Sequence, residues 1–146
     1  MKSIIIYTST HHGNTEKLAK AISEACGVEL FDATKESRKD LSEYDLIGFA
    51  SGIYAGKYHP TILKFAAENL PMGKKVFFMS TSAMNKPFLK SIQNAIKDKN
   101  ATVAGEFHCG GYNTFGPFKL VGGTNKGRPD ENDIKQAVEF YKSICE

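Results

Sequence analysis

The sequence predicts an α/β protein, a parallel sheet with helices on both faces. Three observations predict it. Short, continuous apolar runs recur, as in Ile4-Ile5-Ile6, Leu46-Ile47-Gly48-Phe49 and Val76-Phe77-Phe78-Met79. Longer segments between them return apolar residues at helical spacing, as in Leu18, Ala19, Ile22 and Ala25. The stretches rich in Gly, Ser, Thr and His follow the apolar runs. Buried strands alternating with helices mean a parallel sheet covered on both sides. In such open sheets, ligands bind beyond the carboxyl ends of the strands, where the strand order reverses.

Taken in order, residues 2–8 form the first buried strand. Asn14 or Thr15 caps the first helix, Glu16 sits in its first turn, and Gly27 stops it. Residues 28–31 are a short second strand, and 34–42 are a polar loop or helical turn. Residues 45–52 are a third buried strand running into a glycine turn, and 53–59 a loop. Pro60 suits the first turn of a helix striped by Ile62, Leu63, Ala66, Ala67 and Leu70. Residues 75–80 are the fourth strand and 81–86 a polar loop. Pro87 opens a helix with Phe88, Leu89, Ile92, Ala95 and Ile96 on one face, and 102–109 are the fifth strand. A long loop, 110–128, carries six glycines. The last helix starts at Pro129-Asp130, acidic in its first turn, with Ile134, Ala137, Val138, Tyr141 and Ile144 facing inward. The chain therefore reads as five strands and about four helices.

At 146 residues, 41% hydrophobic and 24% charged, the expectation is one globular domain spanning 1–146. No apolar run approaches the roughly 20 residues of a membrane-spanning helix. The start, Met1-Lys2-Ser3-Ile4, passes straight into a strand without a signal-peptide layout, so a cytoplasmic location is expected. Cys26, Cys109 and Cys145 are odd in number and widely spaced, which favours free thiols over a disulfide framework or a zinc site. The net charge is +3, with 8 Lys/Arg against 9 Asp/Glu in residues 1–73 and 11 against 7 in 74–146. This mild excess lacks the dense basic patch and interleaved aromatics of a nucleic-acid binder.

The chemistry concentrates in Tyr7-Thr8-Ser9-Thr10-His11-His12-Gly13-Asn14-Thr15. A strand, a tight hydroxyl-rich loop and a helix N-terminus together hold a phosphate. Loop amides and the first free helix N–H groups point at the anion, and the helix dipole favours it. Ser9, Thr10 and Thr15 add hydroxyl donors, and Gly13 lets the backbone turn closely. His11 and His12 diverge as neighbours and have no carboxylate or Cys at ligand spacing, so a phosphate contact or solvated rim is preferred to a metal. A Gly-x-Ser-x-Gly elbow, a Gly-x-x-x-x-Gly-Lys-Ser/Thr loop and a Gly-x-Gly-x-x-Gly turn after the first strand are all missing. That disfavours a hydrolase, an NTPase and a dinucleotide-binding protein. Gly122 to Gly127 resembles a phosphate loop by composition alone and reads better as a surface turn. Phe115 and Phe118 read as pins holding the long loop.

From residue 2 to the end, the chain resembles a flavodoxin. The resemblance rests on the Ser9-Thr10…Gly13-Asn14-Thr15 loop after the first strand, on Ser51-Gly52-Ile53-Tyr54-Ala55-Gly56-Lys57 after the third, and on a length and element order matching the short-chain members. It implies a flavodoxin-like three-layer α/β/α sandwich, a five-stranded parallel sheet in order 2-1-3-4-5, and one bound FMN. The phosphate would sit on Ser9, Thr10, His11, His12, Gly13, Asn14 and Thr15. The ring would lie between Ser51, Gly52, Ile53, Tyr54, Ala55, Gly56 and Lys57 on one side and Ser80, Thr81 and Ser82 on the other, with Cys109 nearby. No catalytic residue and no metal ligand is implied. The function implied is single-electron transfer between redox partner proteins, a reductase and an acceptor, by a monomer that binds neither membrane nor nucleic acid.

Four features depart from the common flavodoxin pattern. The phosphate loop has paired histidines and one extra residue. There is no Trp, so Tyr54 or Tyr58 must stack on the ring or the 53–54 backbone must cover it. Lys57, His59 and Lys86 stand where typical flavodoxins are acidic, which predicts a less negative potential for the fully reduced flavin. The long 109–128 loop looks like an addition that caps the flavin or docks a partner. A cationic His12 would make FMN affinity fall as pH rises. Residues 51–59 also resemble the matching loop of flavodoxin-like protoporphyrinogen oxidases, whose long insertion this chain lacks; an FMN-dependent oxidoreductase is the alternative. A binding module without redox work comes third, because the hydroxyls of 9–15 are intact.

Overall fold

A computed structural model describes residues 1–8, 13–111 and 128–145. Strand β1 (Ser3–Tyr7) leads to helix α1 (Asn14–Cys26), then β2 (Glu29–Asp32), β3 (Leu46–Tyr54), β4 (Lys57–Tyr58), α2 (Pro60–Asn69), β5 (Lys75–Ser82), α3 (Lys90–Ala95), β6 (Thr102–Gly110) and α4 (Glu131–Ile144). The sheet order is β2-β1-β3-β5-β6, all parallel, with β4 paired antiparallel to β3 alone. Counting only the parallel strands, this is the 2-1-3-4-5 order expected from the sequence, plus one short added strand.

Alternation along the strands builds two cores. Ile4, Ile6, Ile47, Phe49, Val76 and Phe78 point to the side covered by Ile62 and Phe65 of α2 and Ile92 of α3. Ile5, Leu46, Ala50, Phe77 and Met79 point to the side covered by Leu18 and Ile22 of α1 and Ala137 and Tyr141 of α4. Each fully buried side chain of this size contributes about 2 kcal/mol. Two glycines set the sheet's close approaches. A Cβ on Gly48 would lie 2.3 Å from Cζ of Phe77, so the ring packs flat across β3. A Cβ on Gly105 would meet Cε1 of Phe140 at 2.9 Å, so α4 lies close against edge strand β6.

Several boundaries differ from the sequence expectation. Strand β3 runs past Gly52 to Tyr54, and 53–58 is a hairpin rather than a loop: Ile53 pairs with Tyr58 and Tyr54 with Lys57. Its two turn residues, Ala55 and Gly56, have φ of 52° and 78°, as the right-handed twist of a two-residue hairpin demands. Gly13, left-handed at φ 60°, is the cap residue of α1, not Asn14 or Thr15. Thr81 and Ser82 belong to β5. Pro87 does not open a helix, because Phe88 takes φ 46° and α3 starts only at Lys90. Ala67 lies on the exposed side of α2, and the buried Phe65 takes its place in the inner stripe.

Helix α4 begins as the acids suggest. Asp133 N–H donates to Asp130 Oδ1 and Asp130 N–H to Asp133 Oδ2, each at 2.9 Å, a reciprocal capping box. Arg128 clamps the buried Asp133 carboxylate with two nitrogens, the second at 2.7 Å. Burial would raise the Asp133 pKa, but Arg128 and the Asp130 N–H outweigh it and hold the carboxyl below its ordinary value. Among the described residues, no helix is long and apolar enough to cross a membrane.

Candidate functional site

The carboxyl ends of β1, β3, β5 and β6 meet the N-terminus of α1 on one edge of the sheet. Thr8 directly follows β1, 2% exposed, and its hydroxyl has no hydrogen-bond partner among the described residues. Gly13 brings no side chain to the first-turn amides of α1, which leaves that function to a neighbour or a ligand. One residue into the helix from Asn14, the Thr15 hydroxyl meets that of Thr81, on β5, at 3.2 Å. Gly111 closes the ring of elements. Its N–H donates to the Ser82 carbonyl at 3.2 Å. A Cβ there would lie 2.8 Å from Asn14 Nδ2 and 3.1 Å from Thr81 Cβ. Asn14, Thr15, Thr81 and Gly111 thus come together although nearly a hundred residues separate the first from the last. Ser9, Thr10, His11 and His12 lie outside the described residues, as do Phe115, Phe118 and the 122–127 run.

The second half is the hairpin. Ser51, fully buried, works inside it: its hydroxyl donates to the Gly52 carbonyl at 2.6 Å and accepts the His59 N–H at 2.8 Å. The His59 ring accepts the Thr61 N–H at 3.1 Å through Nδ1 and so caps α2. It also meets the Tyr54 ring edge-on, with centroids 5.5 Å apart. Tyr54 curls over Gly52, where a Cβ would come within 3.3 Å of Cε2. Tyr54 is half-buried. Tyr58 is 1% exposed and points into the core, so of the two tyrosines only Tyr54 can stack on anything outside the protein. Ile53 packs on the α2 and α3 side, and Ala55, Gly56 and Lys57 form the exposed tip.

Ser80 is fully buried, and its hydroxyl faces the phenol of the equally buried Tyr58. Burial, and the Glu106 charge after it, push the Tyr58 phenol pKa up. On the same side of β6, His108 Nδ1 is 2.9 Å from Glu106 Oε2. Cys109 is 3% exposed in the other core, and burial pushes its thiol up to about 12. Its backbone pairs with Thr81. Ser82 accepts the Lys86 N–H at 3.2 Å, which starts the exposed turn that carries Asn85 and Lys86. Among the described residues, no three His, Cys, Asp or Glu side chains cluster as metal ligands would.

Thr8 lies in the 7–15 stretch that the sequence points to, and Gly111 directly follows Cys109-Gly110, but neither is among the cofactor-binding residues expected from the sequence. Gly111 had a signal, the Gly110-Gly111 pair directly after a buried strand. Thr8 had one too, a hydroxyl ending an apolar run. Chemically, an unpartnered buried hydroxyl, a side-chain-free helix N-terminus and a backbone cradle that a Cβ would fill suit an anion. A half-buried aromatic across the gap suits a flat ring. The residues present therefore fit a phosphate-bearing aromatic cofactor.

A family model described as a flavodoxin domain matches residues 4–116. An uncharacterized protein of Methanocaldococcus jannaschii is 47% identical over 149 aligned positions, covering 99% of this chain and 98% of the relative. Among solved structures, flavodoxin 1 from Bacillus cereus superposes with a TM-score of 0.68 at 16% identity, covering 99% of this chain and 97% of the other. A flavodoxin from the domain Archaea superposes with a TM-score of 0.62 at 18% identity over the full length of both.

Proposed function

We propose, for a chain that belongs to the flavodoxin family, that it binds FMN and carries single electrons between redox partner proteins. The observation that carries this reading is the convergence of Asn14, Thr15, Thr81 and Gly111 around the N-terminus of α1. In this reading residues 9–15 hold the phosphate, with the α1 amides and the Thr15 hydroxyl as donors. Thr81 keeps Thr15 in place and Gly111 keeps the wall thin. The hairpin tip and Ser82 flank the ring, and Tyr54 stacks on it with His59 holding the tyrosine edge. Ser51 and Ser80 support this frame from beneath. When bound, FMN supplies reversible one-electron oxidation and reduction, chemistry that no side chain here offers.

The carrier is preferred to the oxidoreductase because the sequence lacks the long insertion of the flavodoxin-like protoporphyrinogen oxidases. A visible spectrum of the purified protein tests the reading. Flavin bands that bleach with dithionite and return only slowly in air are expected. Rapid reoxidation with turnover of a tetrapyrrole substrate would favour the oxidoreductase, and absence of flavin after reconstitution would overturn both.

A further inference from the structure

The charge of this domain is segregated along the sheet. Residues 16–45, on the β2 side, hold eight carboxylates. Residues 46–97, which build β3 to α3, hold seven lysines and one carboxylate, Glu68. Described ion pairs engage three of the eight, joining Lys2 to Glu43, Lys20 to Glu16 and Lys39 to Glu29. Lys57, Lys86 and Lys90 are exposed and have no carboxylate partner among the described residues. They surround the ring end of the site. Lys57 sits on the hairpin tip, Lys86 in the turn after β5, and Lys90 at the start of α3.

Between Lys57 and Lys90 runs a groove of about 600 Å³, lined by these two lysines with Leu63, Asn94 and Ala95. Its upper wall is fixed by Phe88, whose ring would lie 3.8 Å from a Cβ on Gly56, and by the Tyr58 N–H donating to Ser91 at 2.9 Å. Met84, 60% exposed, adds apolar surface next to Lys86. An apolar groove flanked by two unpaired lysines, with Lys86 on a neighbouring exposed turn, suits a negatively charged protein. Steering by such a patch raises encounter rates and fixes orientation.

We infer that the groove between the β3–β4 hairpin and α3 docks an acidic electron-transfer protein, bringing it against the ring edge. This rests on the FMN reading for its purpose, though not for its contacts. A nucleic acid fits less well: every cation here is Lys, and Arg38 and Arg128, the chain's two arginines, lie outside residues 46–97.

Isothermal titration of the full chain tests this with three probes: an acidic ferredoxin, basic cytochrome c and a short DNA duplex. Flavin content is recorded separately by absorbance, so a missing flavin counts against the FMN reading and not against docking. Ferredoxin is expected to bind, and to bind about tenfold more weakly when salt is raised from roughly 20 to roughly 200 mM. K86E/K90E is expected to weaken it by about tenfold or more with flavin content retained, and K86Q/K90Q by less. Preferential binding of cytochrome c, equal binding of the DNA duplex, or unchanged ferredoxin binding by K86E/K90E would each overturn the proposal.

Discussion

The hydroxyls of Thr15 and Thr81 meet at 3.2 Å and join the first turn of α1 to the carboxyl end of β5. Both residues are buried. Replacing one by Val leaves the other hydroxyl buried without its partner, which costs about 1–2 kcal/mol. Thr15→Val and Thr81→Val should each lower apoprotein stability by that amount in urea denaturation. The double variant should lose clearly less than the two added together, because no orphan hydroxyl remains.

Gly111 fills the gap beside that pair. Gly111→Ala puts a methyl 2.8 Å from Asn14 Nδ2 and 3.1 Å from Thr81 Cβ. Asn14 has a flexible end and can swing away, but the threonine cannot. The expected result is a modest stability loss of about 1 kcal/mol with a roughly tenfold weaker FMN affinity, read by fluorescence quenching.

Asp133 ties the start of α4 to Arg128. Its folded pKa is depressed, so the stability it contributes is present above the ordinary carboxylate range and is lost as pH falls through the folded value. Asp133→Asn should cost about 2 kcal/mol at pH 7, from the broken ion pair and capping box. By about pH 3 the wild type should have lost part of this advantage and the two denaturation curves should draw together.

Lys57 and Lys86 stand at the ring end without carboxylate partners among the described residues. Nearby positive charge stabilises a reduced, anionic flavin. Lys86→Glu and Lys57→Glu should each make the more negative potential lower still, by on the order of 40 mV, in a spectroelectrochemical titration. Unchanged potentials would remove these lysines from the account.

Much of this was legible in the residues. The three central strands β1, β3 and β5 announced themselves by short apolar runs, and Gly27 stopped α1 where a left-handed residue was needed, at φ 70°. The proposed phosphate end rests on hydroxyls and a glycine between a strand and a helix. The ring end was harder. Two-residue hairpins usually show Asn-Gly or Asp-Gly; Ala55 accepts the same positive φ here, so the turn looked like part of a loop. Phe88 does the same and ends the helical pattern that Pro87 suggested. Tyr58 sits among polar residues in sequence and becomes buried only because Ile53 pairs with it across the hairpin. Gly13 displaced two good capping residues, a choice that local propensity cannot foresee. Thr8 and Gly111 became site residues only when the sheet order brought β1 and β6 to the same edge.

The central claim is that the N-terminus of α1 and its neighbours hold a phosphate. Titrating the apoprotein with FMN and with riboflavin, side by side, tests it most directly, because the two share the ring and differ in the phosphate. One FMN per chain, bound about a hundredfold or more tighter than riboflavin, is the expected result. Equal affinity for the two, or no binding of FMN, would contradict it.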